Sequence, residues 1–338
     1  MKKFFFGLVV IFSILFLINI IWLLVWSGFL LVDGIQTILQ GKNLLENISE
    51  SAYLKWILMA DLFWIMGFFI YISSHKGFKT KLENHYLQYY PINNPKICMV
   101  IPAYNEELSI EKVVKDFLNQ QFIHTVIVVD NHSSDKTAEL AEKSGAKVIR
   151  KPKNRGLGHS FAMGLIEGLK TDANIIATTE SDGTYNAYDV EKFLPYLNNS
   201  DMVIGSRRLQ ILTERGNQNK IMYVWGNYIL AKLIQLKFFS AHHLGIANLS
   251  DVGCVYRFTR REALEKIADK LLDPKTGDAN GGIAFALYLT MLSIENDLRF
   301  IEIPVSYKKR VGESKMMTQK TSVAIKVGLK FLWLILAH

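Results

Sequence analysis

The chain has 338 residues, of which 50% are hydrophobic and 21% are charged. This composition fits a catalytic domain with a few apolar segments attached, and it excludes disordered, collagen-like and disulfide-scaffold chains. The formal net charge of +8 favours an anionic partner, such as a phosphorylated ligand, a nucleic acid or an acidic membrane leaflet. Cys98 and Cys254 lie in apolar runs without CxxC spacing, so we expect reduced cysteines in the core of a cytosolic domain.

The N-terminal segment predicts two membrane-spanning helices. The run Phe4–Val32 contains no charged residue and would form roughly 43 Å of helix, which exceeds a hydrocarbon core of ~30 Å. A secretory signal has a shorter apolar stretch of about 7–15 residues. A second apolar run, Trp56–Ser73, is interrupted only by Asp61. This acid is either functional within the membrane or placed near the outer interface.

Basic residues flank this hairpin on one side. Lys2 and Lys3 precede the first span, and further lysines follow the second at Lys76, Lys79 and Lys81. The connecting loop, Asp33–Ala52, contains Lys42 as its single basic residue. The positive-inside rule therefore predicts a multi-pass protein of the cell membrane whose remaining chain is cytoplasmic.

After Pro95, short apolar runs alternate with amphipathic helical patterns. The apolar runs are Ile97–Ile101, Val126–Val129, Lys147–Ile149, Ile175–Ala177, Met202–Ile204 and Phe300–Ile303. The helical patterns between them are Leu108–Leu118, Thr137–Ser144, Gly158–Leu169 and Tyr188–Leu197. This alternation predicts a Rossmann-like α/β fold, with a mostly parallel sheet and helices on both faces. Ligands of such sheets bind at the carboxyl ends of the strands.

Polar and glycine residues follow the first four predicted strands. These segments are Tyr104–Glu107, Asp130–Thr137, Lys151–Gly158 and Glu180–Gly183. Each alone could be an ordinary turn or helix cap. Four of them at one edge of a sheet predict a ligand site.

Seven blocks, in this order, carry a resemblance to a known family. They are Pro102–Glu106, Val129–Thr137, Asn154–Gly156, Glu180–Gly183, Ile204–Arg207, Asp251–Arg257 and Glu302–Lys315. The segment from about Ile97 to Lys315 resembles a family 2 glycosyltransferase of the GT-A fold, similar to dolichyl- and polyprenyl-phosphate sugar synthases. Glu180 stands where that family usually has aspartate, and Val255 replaces a usual glycine. The hydrophobic C-terminal hairpin frequent in the family is absent from this sequence.

The resemblance implies a donor site for a nucleotide-diphosphate sugar. Glu180 and Asp182 are hard oxygen ligands that suit Mg²⁺ or Mn²⁺ bridging the diphosphate, and Asp182 is also expected to be catalytic. The residues expected to bind the donor are Pro102, Ala103, Tyr104, Glu106, Asp130, Asn131, Lys153, Arg155, Gly156 and Ser181.

The acceptor side depends on the nucleophile. An alcohol needs a general base, for which Asp251 is the candidate, whereas a phosphate monoester with a second pKa of about 6 is already anionic and needs cations. The residues that the resemblance assigns to acceptor or phosphate binding are Arg207, Arg257, Arg310, Ser314 and Lys315. Arg257 is also expected to be catalytic, and with a phosphate acceptor Asp251 would orient it.

The predicted domain organisation has four parts. They are a transmembrane hairpin at 1–74 with spans at about 4–32 and 53–73, a linker at 75–95, the GT-A domain at 96–315 and an interfacial helix at 316–338. Lysines along an otherwise apolar tail with Trp333 predict that last helix, whose alternative is packing on the catalytic domain.

The expected protein is a membrane-bound hexosyltransferase. It would move a sugar to polyprenyl or dolichyl phosphate on the cytoplasmic face, with inversion and with a divalent metal. The alternatives are an alcohol acceptor or an inactive membrane scaffold, which the unusual Glu180 keeps open. A dinucleotide oxidoreductase is disfavoured because the first strand does not end in Gly-x-Gly-x-x-Gly. No nucleic-acid partner is expected, since the basic residues lie at loop positions without interleaved aromatic residues.

Overall fold

The computed structural model describes most of the chain. The described residues are 2–41, 56, 58–59, 61–67, 70, 89–209, 212–214, 221–238, 249–312 and 321–338. The chain divides into two compact units. The first comprises 1–77, 240–242 and 336–338, and the second comprises 78–239 and 243–335.

The first unit contains a long helix, α1 (Lys2–Leu39), and a helical stretch at 61–67. The Trp64 indole donates a hydrogen bond to Ser13 Oγ at 2.9 Å, and its ring stacks on Phe16 with centroids 5.2 Å apart. Asp61 Oδ1 is buried and accepts no hydrogen bond from the described residues. Within the described part of the chain, no helix combines the length and the hydropathy that a membrane span requires. Most of the predicted linker and the lysines 76, 79 and 81 lie outside the described residues.

The second unit is built on a seven-stranded sheet. Its strands are β1 (Ile97–Ala103), β2 (Ile123–Asp130), β3 (Lys147–Arg150), β4 (Ile175–Thr178), β5 (Met202–Ser206), β6 (Arg257–Arg260) and β7 (Phe300–Pro304). The strand order is β3-β2-β1-β4-β6-β5-β7, and β6 alone in this sheet runs antiparallel to both of its neighbours. The predicted mostly parallel α/β fold is therefore confirmed.

Burial shows that both faces of β1 are covered. Successive side chains of a strand point to opposite faces, and all seven residues of β1 are buried. Cys98 and Cys254 are free, buried cysteines, as predicted. Burial raises the pKa of each thiol to about 12, so both stay protonated at neutral pH and pack as small apolar groups.

Helices connect the strands and position the site. They are α2 (Ile110–Leu118), α3 (Thr137–Lys143), α4 (Leu157–Gly168), α5 (Val190–Leu197), α6 (Ile221–Lys237), α7 (Arg261–Glu265), α8 (Phe285–Glu295) and α9 (Thr321–Ala337). Helix α4 lies directly on the sheet, because a Cβ at Gly164 would come within 2.2 Å of Val100 and one at Gly168 within 2.8 Å of Ile176. This close packing, which only glycine permits, brings the N-terminus of α4 to the ligand edge of the sheet.

Candidate active site

A cavity of about 1560 Å³ lies at the carboxyl ends of the parallel strands, where the sequence predicts a ligand. Helices α6 and α9 contribute its apolar wall, including Leu230 and Phe331. The predicted site residues that line it are Pro102, Ala103, Tyr104, Glu106, Asn131, Arg155, Gly156, Glu180, Ser181, Asp182, Arg207 and Arg310. The predicted residues Asp130, Lys153, Asp251 and Arg257 are not among the lining residues. Ser314 and Lys315 lie outside the described residues.

The loop after β4 brings two carboxylates together. Thr184 Oγ1 lies 2.6 Å from Asp182 Oδ1 and 3.1 Å from Glu180 Oε2, and the Thr184 amide donates to the same Asp182 oxygen at 3.1 Å. Burial and the neighbouring Asp182 carboxylate raise the pKa of Glu180 to about 7. A carboxyl group in such surroundings is stabilised in its charged form by a nearby cation.

The donor set of this loop fits Mg²⁺ or Mn²⁺. Two carboxylates and a hydroxyl are hard oxygen donors, and Mg²⁺ is usually held by one or two carboxylates together with substrate phosphates and water. Within the described residues, no cluster of three or more His, Cys, Asp or Glu side chains could hold a metal by itself. The donors of this loop match a site in which the metal is shared with substrate phosphates.

Arg310 occupies the acidic side of the cavity. Its Nη1 lies 3.0 Å from Asp182 Oδ2, and its Nη2 contacts Glu106 Oε1. Arg310 was predicted to bind the acceptor, but these ion pairs join a predicted donor-binding residue to a predicted metal ligand. The sequence signal for this pairing is weak, because Arg310 and its two partners are far apart along the chain.

A second arginine–aspartate pair joins Arg207, which directly follows β5, to Asp251. Arg207 donates to both carboxylate oxygens of Asp251, from Nε to Oδ2 at 2.7 Å and from Nη2 to Oδ1 at 2.8 Å. Asn227 of α6 also donates to Asp251 Oδ1, at 2.8 Å. The Arg207 guanidinium also lies 5.1 Å from the centre of the Tyr307 ring. Burial alone would raise the pKa of Asp251, but the Arg207 guanidinium outweighs burial and holds that pKa well below its usual range.

This pair corrects the prediction for Asp251. The carboxylate is fully buried, and both of its oxygens are engaged by Arg207. A carboxylate with a strongly lowered pKa is a poor general base. For a phosphate acceptor, Asp251 was expected to orient Arg257. In the structure its carboxylate binds Arg207 instead.

The position of Arg257 also differs from the prediction. Its side chain is buried in the core, where Nε donates to the Cys254 carbonyl at 2.8 Å and Nη1 to Thr290 Oγ1 at 2.9 Å. Burial lowers its pKa. Arg257 pairs with Thr178 at the carboxyl end of β4, but its side chain points to the face of the sheet that α8 covers and does not line the cavity. We therefore assign Arg257 a structural role, in place of the predicted acceptor contact.

In the loop after β3, the buried cation is Lys151 and not the predicted Lys153. Lys151 Nζ donates to Asn131 Oδ1 at 2.5 Å and to Ser160 Oγ at 3.1 Å, whereas Lys153 is exposed. Burial, reinforced by the nearby Arg155 guanidinium, lowers the pKa of Lys151 to about 8. Lys151 directly follows β3, and this position at the strand end was the signal in the sequence that could have identified it as a site residue.

Two further residues complete this side of the cavity. Arg155 is fixed by an ion pair of 2.6 Å with Asp278 and a hydrogen bond of 3.0 Å to the Thr276 carbonyl. His159, in the first turn of α4, lines the cavity and was missed in the sequence. Burial, with the charge of Lys151, lowers the pKa of His159 to about 4, so its imidazole is neutral at physiological pH.

Asp130 does not line the cavity but stabilises a turn next to it. It is buried at the end of β2, and its two carboxylate oxygens each accept a hydrogen bond of 3.3 Å from the Ser133 amide. The loop after β1 is attached to this turn, because the Asn105 amide donates to Ser133 Oγ at 2.9 Å. Asp130 thus shapes the turn beside Tyr104, which is partly exposed to the cavity.

Comparison with known proteins places these residues in a family. A family model described as Glycosyl transferase family 2 matches residues 98–268, which is just over half of the chain. Polyprenol monophosphomannose synthase from Mycolicibacterium smegmatis is 27% identical over 226 residues, covering 64% of this chain and 80% of that protein. An uncharacterized protein from Methanocaldococcus jannaschii is 37% identical over 151 residues, covering 41% of this chain and 62% of that protein.

A solved structure supports the fold alone. Glucosyl-3-phosphoglycerate synthase from Mycobacterium tuberculosis, crystallised with Mn²⁺, UDP-glucose and phosphoglyceric acid, superposes with a TM-score of 0.50 at 19% identity. The superposition covers 71% of this chain and 80% of that chain.

Proposed function

The chain belongs to glycosyl transferase family 2 and is a glycosyltransferase, and we propose that it transfers a sugar from a nucleotide-diphosphate sugar to a polyprenyl or dolichyl phosphate. The observation that carries this proposal is a single cavity with three parts. It contains the carboxylates of Glu180 and Asp182 after β4, the arginine Arg207 after β5, and an apolar wall from α6 and α9. Each part matches one portion of the two substrates.

The donor occupies the side of the cavity formed by β1, β2 and β4. Tyr104, Asn131 and Arg155 line the part suited to the nucleoside. Glu180 and Asp182 would hold the divalent cation, which, when bound, neutralises the diphosphate as it leaves the sugar. The lowered pKa of His159 leaves an uncharged imidazole near this region, so it adds hydrogen-bonding capacity without charge.

The acceptor phosphate is assigned to Arg207. Its guanidinium lines the cavity, and Asp251 and Tyr307 hold it in one orientation, so it is prepared to bind an anion without reorganisation. A phosphate monoester needs no general base, which agrees with an Asp251 that is committed to Arg207. Direct attack of the phosphate oxygen on the anomeric carbon, opposite the leaving diphosphate, inverts the configuration of the sugar.

The lipid part of the acceptor fits the wall made by α6 and α9. Both helices contribute residues to the cavity, and both also carry exposed apolar side chains, namely Trp225, Tyr228 and Ile229 on α6 and Ile325, Leu329 and Trp333 on α9. Lysines of the same helices, such as Lys232 and Lys330, provide positive charge for an anionic leaflet. We place these helices at the cytoplasmic membrane surface, with residues 1–74 as a transmembrane hairpin.

A transfer assay tests the proposal. Full-length protein in membranes would receive radiolabelled UDP- and GDP-sugars in turn, with Mn²⁺ and either polyprenyl phosphate or the matching polyprenol. The proposal expects a labelled lipid from the phosphate and none from the alcohol. Transfer to the alcohol would favour the alternative acceptor, and an absence of both transfer and donor binding would favour the inactive scaffold. The Asp182→Asn variant is the matched control for enzyme-dependent transfer.

A further inference from the structure

Arg310 holds the predicted metal ligand Asp182 in an ion pair. Arg310 Nη1 lies 3.0 Å from Asp182 Oδ2, and Arg310 Nη2 contacts Glu106 Oε1. The two carboxylates are buried, with 6% and 8% of their side-chain surfaces exposed, whereas the arginine side chain is 25% exposed. The guanidinium is therefore the most exposed member of this ion-paired group.

The backbone on either side of Arg310 is attached to the acidic loop. The Val311 amide donates to the Asp182 carbonyl at 3.0 Å, and the Lys308 amide donates to the Thr184 carbonyl at 2.7 Å. These bonds fix the Cα of Arg310 beside the loop and leave its long side chain to reach Asp182. Its Nε is buried without a hydrogen-bond partner among the described residues, and its contacts with Asp182 and Glu106 run through the terminal nitrogens. The guanidinium is thus tethered close to the loop and held there through its tip.

The Asp182 carboxylate has little capacity for another partner while Arg310 is in place. Its Oδ1 accepts hydrogen bonds from the amide and the hydroxyl of Thr184, and its Oδ2 is taken by Arg310. A divalent cation on Oδ2 would lie beside the guanidinium, and two cations in contact repel strongly where water is scarce. Binding of a divalent cation at Oδ2 therefore favours departure of Arg310 from Asp182.

The displaced guanidinium needs a new anion near its tether. A nucleotide-diphosphate donor supplies one, because its phosphate oxygens match the fork of an arginine and would lie at the same carboxylates. We infer that Arg310 takes the place of the divalent cation on Asp182 before the donor binds, and then moves to the donor's diphosphate. This inference rests on the proposed function and reassigns Arg310 from the acceptor to the donor.

Cooperative binding follows from this exchange. A divalent cation alone competes with Arg310 for Asp182, whereas a nucleoside diphosphate offers Arg310 another partner and so removes the competition. Coupling of this kind is reciprocal, so the cation must also strengthen nucleotide binding by the same factor. Without the Arg310 charge, the cation should bind more tightly alone, and the nucleotide should strengthen its binding less.

The experiment measures Mn²⁺ binding to the full-length protein by electron paramagnetic resonance, alone and with UDP or GDP. In the unaltered protein, we expect a nucleotide to tighten Mn²⁺ binding about tenfold or more. In Arg310→Met, we expect Mn²⁺ alone to bind about fivefold more tightly than in the unaltered protein. The nucleotide should still tighten Mn²⁺ binding, because its phosphates share the cation, but by a smaller factor than in the unaltered protein.

Two further variants separate this exchange from a general effect of charge. Lys309→Met removes one positive charge from the next position along the same cavity segment, and it should change the affinity for Mn²⁺ alone by less than about twofold. Arg310→Lys keeps the charge and should keep weak Mn²⁺ binding, which preserves the test if Arg310→Met folds poorly. Thermal unfolding of each variant monitors the fold.

The outcomes are distinguishable. If the unaltered protein transfers sugar and Arg310→Met binds Mn²⁺ no more tightly than it does, the exchange is overturned and the proposed function still stands. The same gain in Lys309→Met as in Arg310→Met also overturns it. If the unaltered protein binds no Mn²⁺ even with UDP or GDP, the exchange and the metal role of Glu180 and Asp182 both fall.

Discussion

Two arginines that line one cavity, Arg207 and Arg310, are each paired with an aspartate, and the two pairs differ in how firmly their members are bound to each other. Arg207 and Asp251 bind through two oxygens, with 11% and 0% of their side-chain surfaces exposed, and Asn227 secures the carboxylate. Arg310 binds Asp182 through one oxygen, shares its charge with Glu106 and is 25% exposed.

The difference suggests different tasks for the two pairs. A buried, doubly bonded pair is costly to break, because removing one partner leaves an unpaired charge in the protein interior. Such a pair suits the acceptor phosphate, which needs a fixed cation. A singly bonded and more accessible pair can exchange partners, which suits a carboxylate that must receive a metal. The predictions below are designed to break or sharpen this contrast.

The largest effect is expected from Asp182→Asn. The amide keeps the shape of the side chain but loses the charge that would hold a divalent cation, so we expect transfer to fall about a thousandfold or more. The measurement is the rate of sugar transfer with Mn²⁺, with circular dichroism as the check on the fold. Activity within tenfold of the unaltered protein would remove Asp182 from the metal site.

A smaller but still large effect is expected from Asp251→Asn. The change leaves the Arg207 guanidinium buried without its counter-charge, a loss of about 3–5 kcal/mol in comparable buried pairs. We expect a clear fall in the free energy of unfolding, measured by denaturant titration, together with weaker binding of the acceptor. Unchanged stability would mean that Asp251 is not the fixed partner that its geometry indicates.

Arg207→Lys tests the acceptor assignment more gently. Lysine keeps the charge but cannot reproduce the two-pronged contact, so we expect the KM for polyprenyl phosphate to rise about tenfold. The KM for the sugar nucleotide should stay within about twofold, since Arg207 serves the other substrate. The reverse pattern, with donor KM raised and acceptor KM unchanged, would move Arg207 to the donor side.

The smallest effect is a pH dependence of metal stabilisation. The pKa of Glu180 is raised from the usual 4.5 to about 7, so in the metal-free protein its contribution to stability is present below pH 4.5 and is lost as pH rises through 7. A divalent cation favours the ionised form. We therefore expect Mn²⁺ with nucleoside diphosphate to raise the melting temperature by more at pH 8 than at pH 6.

The control for that prediction is Glu180→Gln. The amide has no charge to lose over this range, so the increase in melting temperature should become nearly independent of pH. Persistence of the full pH dependence in Glu180→Gln would assign it to another titrating group.

The sequence predicts the strand ends well and the pairings between them poorly. Tyr104, Asn131 and Asp182 line the cavity because each follows an apolar, parallel strand, and those apolar runs can be recognised in the sequence. The contacts of Arg257 could not be predicted, because a short strand bounded by charged residues gives no periodic signal that shows which face of the sheet its side chain meets.

The pairings depend on contacts that no local pattern records. Asp251 reaches Arg207 across 44 positions, and Arg310 reaches Asp182 across 128. The choice between Lys151 and Lys153 depends on which side chain the loop turns inward. That choice is set by Asn131 and Ser160, which accept hydrogen bonds from the Lys151 ammonium.

The most direct test of the contrast is a structure of the full-length protein bound to Mn²⁺ and to the nucleoside diphosphate that the transfer assay identifies. The measurement is the pair of separations between Arg310 and Asp182 and between Arg207 and Asp251. We predict that the first contact is broken, with the Arg310 guanidinium on the diphosphate, and that the second remains bidentate. An intact contact between Arg310 and Asp182, or a broken one between Arg207 and Asp251, would contradict the account.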